Sequence, residues 1–278
     1  MGYFDGKQGL ILGVANDRSI AWAIAKEIMD QGGVCGFTHL PDKPDDDRKK
    51  NRRRVSQLTD LYPNHAKFLV PLDVQKDDDI AAVMALAGRE LGKIDFLLHS
   101  IAYATLDDLK RDTVETSRDG FKLAMEISAY SLIAVTNAAR GILNPGGSVL
   151  TMTYFGGEKC VPGYNVMGIC KAALEASMRY LAYDLGPAGV RVNALSAGPL
   201  KTLAGQAAGV GEMQILYEQV APLGRNVTHG EVGRTGAWLL SDLSNGITAE
   251  ILHIDGGYNA MGSPGRMLDR IKAAQAAK

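Results

Sequence analysis

Short apolar runs alternate with longer amphipathic ones along the chain, a rhythm that predicts βαβ units laid around a parallel sheet. Seven runs read as strands, at about 8–14, 34–39, 67–72, 95–100, 147–153, 190–196 and 250–254. Several of them, QGLILGV and FLLHS included, are apolar at consecutive positions. That is the pattern of a strand covered by helices on both faces. Helical patterns lie between. In SIAWAIAKEIMDQGG, the residues Ile20, Ala23, Ile24 and Ile28 share one face, and Gly32 or Gly33 ends the helix. No linker interrupts the rhythm, so the expectation is an α/β fold. It is one domain over residues 1–278, built on a doubly wound parallel sheet of about seven strands with helices on both faces.

Two segments depart from the rhythm. PDKPDDDRKKNRRRVSQL, from Pro41, is dense in charge. Without interleaved aromatics to stack on bases it reads as a solvated helix face and not as a nucleic-acid patch. The segment 199–229 is long, rich in small residues and weakly periodic, which fits a covering segment over a site.

Composition narrows the classes further. The chain has 278 residues, 46% hydrophobic and 22% charged, with a formal net charge of −1. These are values of a globular protein without the global basic field that nucleic-acid or anionic-membrane binding uses. No apolar stretch approaches membrane-spanning length, and the first residues lack the basic and apolar regions of a leader, so the expected location is the cytoplasm. Cys35, Cys160 and Cys170 form no CxxC pair and read as reduced core or near-core residues. The five histidines never fall at metal-ligand spacing, and the acidic runs Asp45–Asp47 and Asp77–Asp79 read as helix starts. No metal is expected.

Candidate chemistry begins at GVANDRSIAWAIA, where Gly13 follows the first strand and Ser19 precedes a helix. A glycine turn lets backbone approach a pyrophosphate, and a helix N-terminus supplies unpaired N–H groups to it. Past the second strand stand His39, Leu40, Pro41, Asp42 and Lys43. No acid sits at the tip to hold a ribose, while Lys43 could meet a 2′-phosphate, so NADH and NADPH both stay open. Asp73, in LDV after the third strand, suits an adenine amino group and a helix cap equally.

The stretch YFGGEKCVPGYNVMGICK, from Tyr154 to Lys171, begins where the fifth strand stops. In open parallel sheets ligands bind on that side. Pro162 and Gly163 then precede a helix that carries Tyr164 in its first turn and Lys171 seven residues on. Seven residues advance a helix by about 700°, nearly two turns, so both side chains share a face, with the lysine leaning toward the tyrosine. A fixed ammonium beside a phenol favours the phenolate, so the expectation is a lowered Tyr164 pKa and a better proton donor to a developing oxyanion.

YNVMGICK with Tyr154 ten residues upstream, GVANDRSIAWAIA, HSIAYA, AGPLKTLA and HIDGGY occur in order over nearly the whole chain. Together they resemble the bacterial NADH-dependent enoyl-acyl-carrier-protein reductases, a divergent branch of the short-chain dehydrogenase/reductases with a Rossmann-like fold. The resemblance implies reduction of trans-2-enoyl thioesters in fatty acid elongation, by hydride from NADH or NADPH. It implies a cofactor held by Gly13, Ser19, Ile20, Leu40, Asp73, Val74, Ile101, Lys171, Leu200, Lys201, Thr202, Leu203 and Ala204. Ala104, Tyr154 and Tyr164 would contact the acyl substrate, with Tyr164 donating to the thioester carbonyl, Lys171 bonding the nicotinamide ribose and Tyr154 assisting. An acyl carrier protein as partner and a homotetramer follow from the same resemblance. Two rival readings remain: a 3-ketoacyl reductase, for which Thr151 stands thirteen residues before Tyr164, and a non-catalytic dinucleotide sensor.

Overall fold

The structure is a computed structural model and describes residues 2–202 and 210–276. Seven strands form one sheet: β1 (Gln8–Leu12), β2 (Val34–His39), β3 (Ala66–Pro71), β4 (Ile94–His99), β5 (Leu143–Thr153), β6 (Arg191–Ala197) and β7 (Ile251–Ile254). Their order is β3-β2-β1-β4-β5-β6-β7, and every neighbouring pair is parallel. The chain winds outward from β1 in one direction and from β4 in the other. The switch between β1 and β4 therefore leaves a crevice at the carboxyl ends of those two strands, where this fold binds ligands.

The helices are α1 (Ile20–Asp30), α2 (Lys50–Thr59), α3 (Asp77–Glu90), α4 (Leu106–Lys110), α5 (Arg118–Met125), α6 (Ser131–Ala139), α7 (Asn165–Leu185), α8 (Val210–Val220), α9 (His229–Leu240) and α10 (Met267–Ala276). Strand residues alternate between two cores, as the two-residue period of a strand requires. Ile11, Phe37, Phe96, Leu98, Leu150 and Leu195 pack against α1 and α9. Leu10, Leu12, Leu97, Val149 and Val192 pack against α3, α6 and α7. The buried residues of α1 are Ala21, Trp22, Ile24, Ala25, Ile28 and Met29, so Ile24 and Ile28 of the predicted stripe are in the core while Ile20 and Ala23 are half-buried beside α9. The two helices touch closely at Gly233, where a Cβ would sit 2.6 Å from the Ala23 carbonyl oxygen.

The charged stretch after β2 behaves as a solvated helix. Only Val55 and Thr59 of α2 are buried, and Arg52, Arg53 and Arg54 are exposed. Asp77–Asp79 form the first turn of α3. The other acidic run stays outside a helix: α2 starts only at Lys50, whose N–H is accepted by the Asp46 carboxylate at 3.2 Å. Cys35 and Cys170 are buried, but Cys160 is exposed because it lies in the loop between β5 and α7, outside both cores. Among the described residues no helix is long and apolar enough to cross a membrane. No cluster of three His, Cys, Asp or Glu side chains that could hold a metal occurs among them either.

Candidate active site

Gly13 follows β1 with φ 97°, in the region that favours glycine. A Cβ there would lie 2.0 Å from the Ser100 carbonyl oxygen, so the turn after β1 and the loop after β4 close on each other only with glycine. Ser19 is the N-cap of α1, yet its hydroxyl makes no capping bond. It accepts the N–H groups of Ala15 (3.0 Å) and Asn16 (3.1 Å), and so holds the turn instead of the helix end. The first turn of α1 carries no acidic residue. An uncapped helix N-terminus beside a glycine cradle suits a pyrophosphate.

The other predicted nucleotide residues line the same carboxyl edge. Ile20 opens α1, and Leu40, just past β2, is 68% exposed. Beside Leu40 is a recess of about 640 Å³ lined by His39, Asp42, Lys43, Lys49 and Arg52 among others. The Asp42 carboxylate accepts the backbone N–H groups of Asn51 and Arg52 and thereby anchors the start of α2. Asp73 accepts the Gln75 N–H at 3.1 Å, and Val74 is buried. Asp73 is not the α3 cap, because that position belongs to Lys76. Ile101 packs on the α3 side, while Leu200 is buried in the α1 core and Lys201 is exposed. The Thr202 N–H donates to the Leu200 carbonyl at 2.7 Å. Leu203 and Ala204 lie outside the described residues, as does part of the 199–229 segment.

At the other end of the crevice, Tyr154 follows β5 directly and Tyr164 is the residue before α7, one position short of its first turn. Their rings meet edge to face with centroids 4.8 Å apart. Ala104 and Tyr164 belong to one small apolar cluster with Val166, Met167 and Cys170. Lys171 is buried, and its ammonium donates to the Met152 carbonyl at 2.7 Å. Burial lowers its pKa to about 8.

The expected acidification of Tyr164 is not what the structure gives. Burial pushes its phenol above the ordinary value, and Tyr154, Cys170 and Glu175 act in the same direction. Desolvation of the phenolate dominates, and the Lys171 ammonium is directed instead at the Met152 carbonyl. Tyr164 is thus a neutral O–H at physiological pH, a donor and not a base.

Linear reading missed how the loop after β4 is held. His99 is fully buried between Thr151 Oγ1 (3.0 Å from Nδ1) and Ser131 Oγ (2.8 Å from Nε2). Ser131 gives its only proton to the Ile127 carbonyl at 2.6 Å, so it accepts from His99 Nε2–H, and Thr151 must donate to Nδ1. Burial, with the Lys171 charge second, lowers the His99 pKa to about 3 and keeps it neutral. Thr151 is therefore committed to the interior. A π-turn at Glu126–Tyr130 joins α5 to α6 and presents Ser128, whose hydroxyl accepts the Tyr103 N–H (2.9 Å) and donates to the Tyr103 carbonyl (3.0 Å). Ser128 was invisible in sequence because only the fold brings it to the HSIAYA loop.

Residues 13–259 match the family model described as enoyl-(acyl carrier protein) reductase. The chain belongs to that family. Among family relatives, the Nostoc sp. enoyl-[acyl-carrier-protein] reductase [NADH] is 46% identical over 92% of this chain and 98% of its own. The Staphylococcus aureus (strain MRSA252) enoyl-[acyl-carrier-protein] reductase [NADPH] is 43% identical over 92% of this chain and 98% of its own. The Bacillus cereus enoyl-acyl carrier protein reductase, solved with NADP+ and indole naphthyridinone, superposes with a TM-score of 0.89. It is 44% identical and covers 95% of this chain and 100% of its own.

Proposed function

We propose that this family member reduces the carbon–carbon double bond of trans-2-enoyl thioesters carried on acyl carrier protein, with NADH or NADPH as the electron source. The observation that carries the reading is the contact of two tyrosine rings, Tyr154 and Tyr164, at the carboxyl edge of the sheet while Thr151 is withdrawn into the His99 network. A ketoreductase needs that threonine hydroxyl at the substrate. Here its rotation toward the site would strip buried His99 of a hydrogen bond, at a cost of about 1–3 kcal/mol.

The residues divide the work. Gly13 and the α1 N-terminus receive the pyrophosphate; Leu40 and the recess beside it receive the adenosine ribose. Asp73 and Val74 frame the adenine, and Ile101 with Leu200, Lys201 and Thr202 borders the nicotinamide. Lys171, already oriented by Met152, bonds the nicotinamide ribose. When bound, the nicotinamide would supply a hydride to the β-carbon of the enoyl chain; charge would develop on the thioester oxygen, and the resulting enolate would then take a proton at the α-carbon to complete the reduction. Tyr164, kept un-ionised by burial, donates its hydrogen bond to that oxygen, and Tyr154 assists from the strand end. Ala104 contacts the acyl group through its backbone. The described part of the 199–229 segment, α8 included, would cover the acyl chain and exclude water.

An acidic carrier protein delivers the substrate in the cytoplasm. A homotetramer forms through apolar faces that one copy leaves open: Tyr180 and Tyr183 of α7 are 75% and 83% exposed, and Tyr130 and Ile133 are exposed near α6. Sedimentation analysis reads the assembly directly; a monomer at micromolar concentration would contradict it. The function is tested by incubating the protein with a 2-enoyl carrier-protein thioester and either dinucleotide, then weighing the acyl product. A gain of two hydrogens on the acyl chain is expected, and an unchanged enoyl chain would overturn the reading.

A further inference from the structure

Tyr154 sits where aromatic side chains from four separate parts of the chain converge. On one side is Tyr164. On the other, Tyr217 of α8 reaches in until its hydroxyl oxygen is 3.5 Å from that of Tyr154. Tyr258, in the turn after β7, stacks on Tyr217 with centroids 3.8 Å apart and planes 9° from parallel. Tyr217 is 1% exposed. A phenol buried that deeply requires an acceptor, because an unpaired one costs about 1–3 kcal/mol, and the Tyr154 oxygen is the acceptor the structure supplies.

The bracing around Tyr217 is specific. The buried Asp255 carboxylate accepts the N–H groups of Gly257 and Asn259, each at 2.8 Å, and so fixes the turn that carries Tyr258. The Arg266 guanidinium donates to the carbonyls of Ala221 (2.9 Å) and Pro222 (2.8 Å), just past the end of α8. Gln214 of α8 donates to the Pro199 carbonyl at 3.1 Å. These bonds hold α8 in place, with its Tyr217 hydroxyl facing that of Tyr154.

Direction matters in that contact. Buried as it is, the Tyr217 hydroxyl turns its proton toward the Tyr154 oxygen, and a Tyr154 oxygen that receives that proton turns its own O–H elsewhere. We infer that Tyr217 is a positioning residue for Tyr154: its hydroxyl orients the Tyr154 O–H away from α8 and toward the acyl thioester. This rests on the proposed role of Tyr154 at the substrate. At 3.5 Å the separation is longer than a closed O–H···O bond, as active-site contacts often are before a substrate seats.

Tyr217→Phe keeps the ring and its stacking while removing the donor. The expected result is a fall in kcat of about 3- to 10-fold, the equivalent of one ordinary hydrogen bond, with cofactor Kd and Tm unchanged. In a double-mutant cycle, Tyr217→Phe should add nothing once Tyr154 is Phe. The Cζ resonance of isotope-labelled Tyr154, identified by its loss in Tyr154→Phe, should move in Tyr217→Phe even without substrate. If Tyr154→Phe itself leaves turnover intact, the site assignment fails. If Tyr154→Phe impairs turnover but Tyr217→Phe changes only Tm, multiplies with Tyr154→Phe, or leaves the Tyr154 resonance in place, this inference is overturned.

Discussion

Lys171 offers a way to separate what stabilises this protein from what makes it work. Its ammonium is buried and its pKa falls from 10.5 to about 8. At neutral pH the folded chain therefore holds a charge it would stabilise better as the neutral amine. A lowered lysine pKa means that between pH 8 and 10.5 the unfolded chain binds more protons than the folded one, so stability rises with pH across that window. The penalty is about 3 kcal/mol below pH 7 and under about 1 kcal/mol at pH 10. Lys171→Met removes the charge and keeps the length of the side chain. It also leaves the Met152 carbonyl without its donor, which costs about 1–3 kcal/mol. The variant is thus expected to be as stable as the parent at pH 7, or up to about 2 kcal/mol more stable, while losing turnover. Urea unfolding of both proteins from pH 6.5 to 10 gives the decisive curve: the stability difference should shift by about 2 kcal/mol in favour of the parent as pH rises. A difference that stays flat across that range would refute the reasoning.

Three further outcomes follow from the same geometry. Tyr164→Phe should lower kcat by about 100-fold, the scale of losing one donor to a developing oxyanion, while dinucleotide binding measured by nicotinamide fluorescence is unchanged. Gly13→Ala places a methyl 2.0 Å from the Ser100 oxygen at φ 97°, so cofactor affinity should fall at least about 10-fold and stability by about 2 kcal/mol or more. Titration with the dinucleotide and thermal melting check both. Thr151→Val should cost about 1–3 kcal/mol of stability by orphaning His99 yet leave kcat within about threefold; a much larger loss of turnover by steady-state kinetics would put the threonine at the substrate.

How much of this was legible in the chain depends on whether a feature is local. The strands are set by apolar runs, and their positions agree with the pattern to within a few residues, because burial on both faces leaves an unbroken hydrophobic signal. Gly13 was legible for the same reason, since a turn between strand and helix is written in consecutive residues. The spacing of Tyr164 and Lys171 was legible, but the sign of the phenol's shift was not. It depends on how tightly α7 packs against the β5 end, and desolvation wins there. Tyr217, Tyr258 and Ser128 gave no local signal, since each acquires its partner only when distant segments are brought together. The start of α3, capped by Lys76, and the part of the α1 stripe at Ile20 and Ala23 differ from the linear pattern by a few positions, the scale on which tertiary contacts overrule local preference.

The most direct test of the central claim sets two substrates against each other. With NADH present, and again with NADPH, the protein is offered a trans-2-butenoyl thioester and an acetoacetyl thioester separately, and loss of reduced-nicotinamide absorbance is followed. The account predicts rapid oxidation with the enoyl thioester and little or none with the ketoacyl one. Reduction of acetoacetyl thioester without reduction of butenoyl thioester would contradict it.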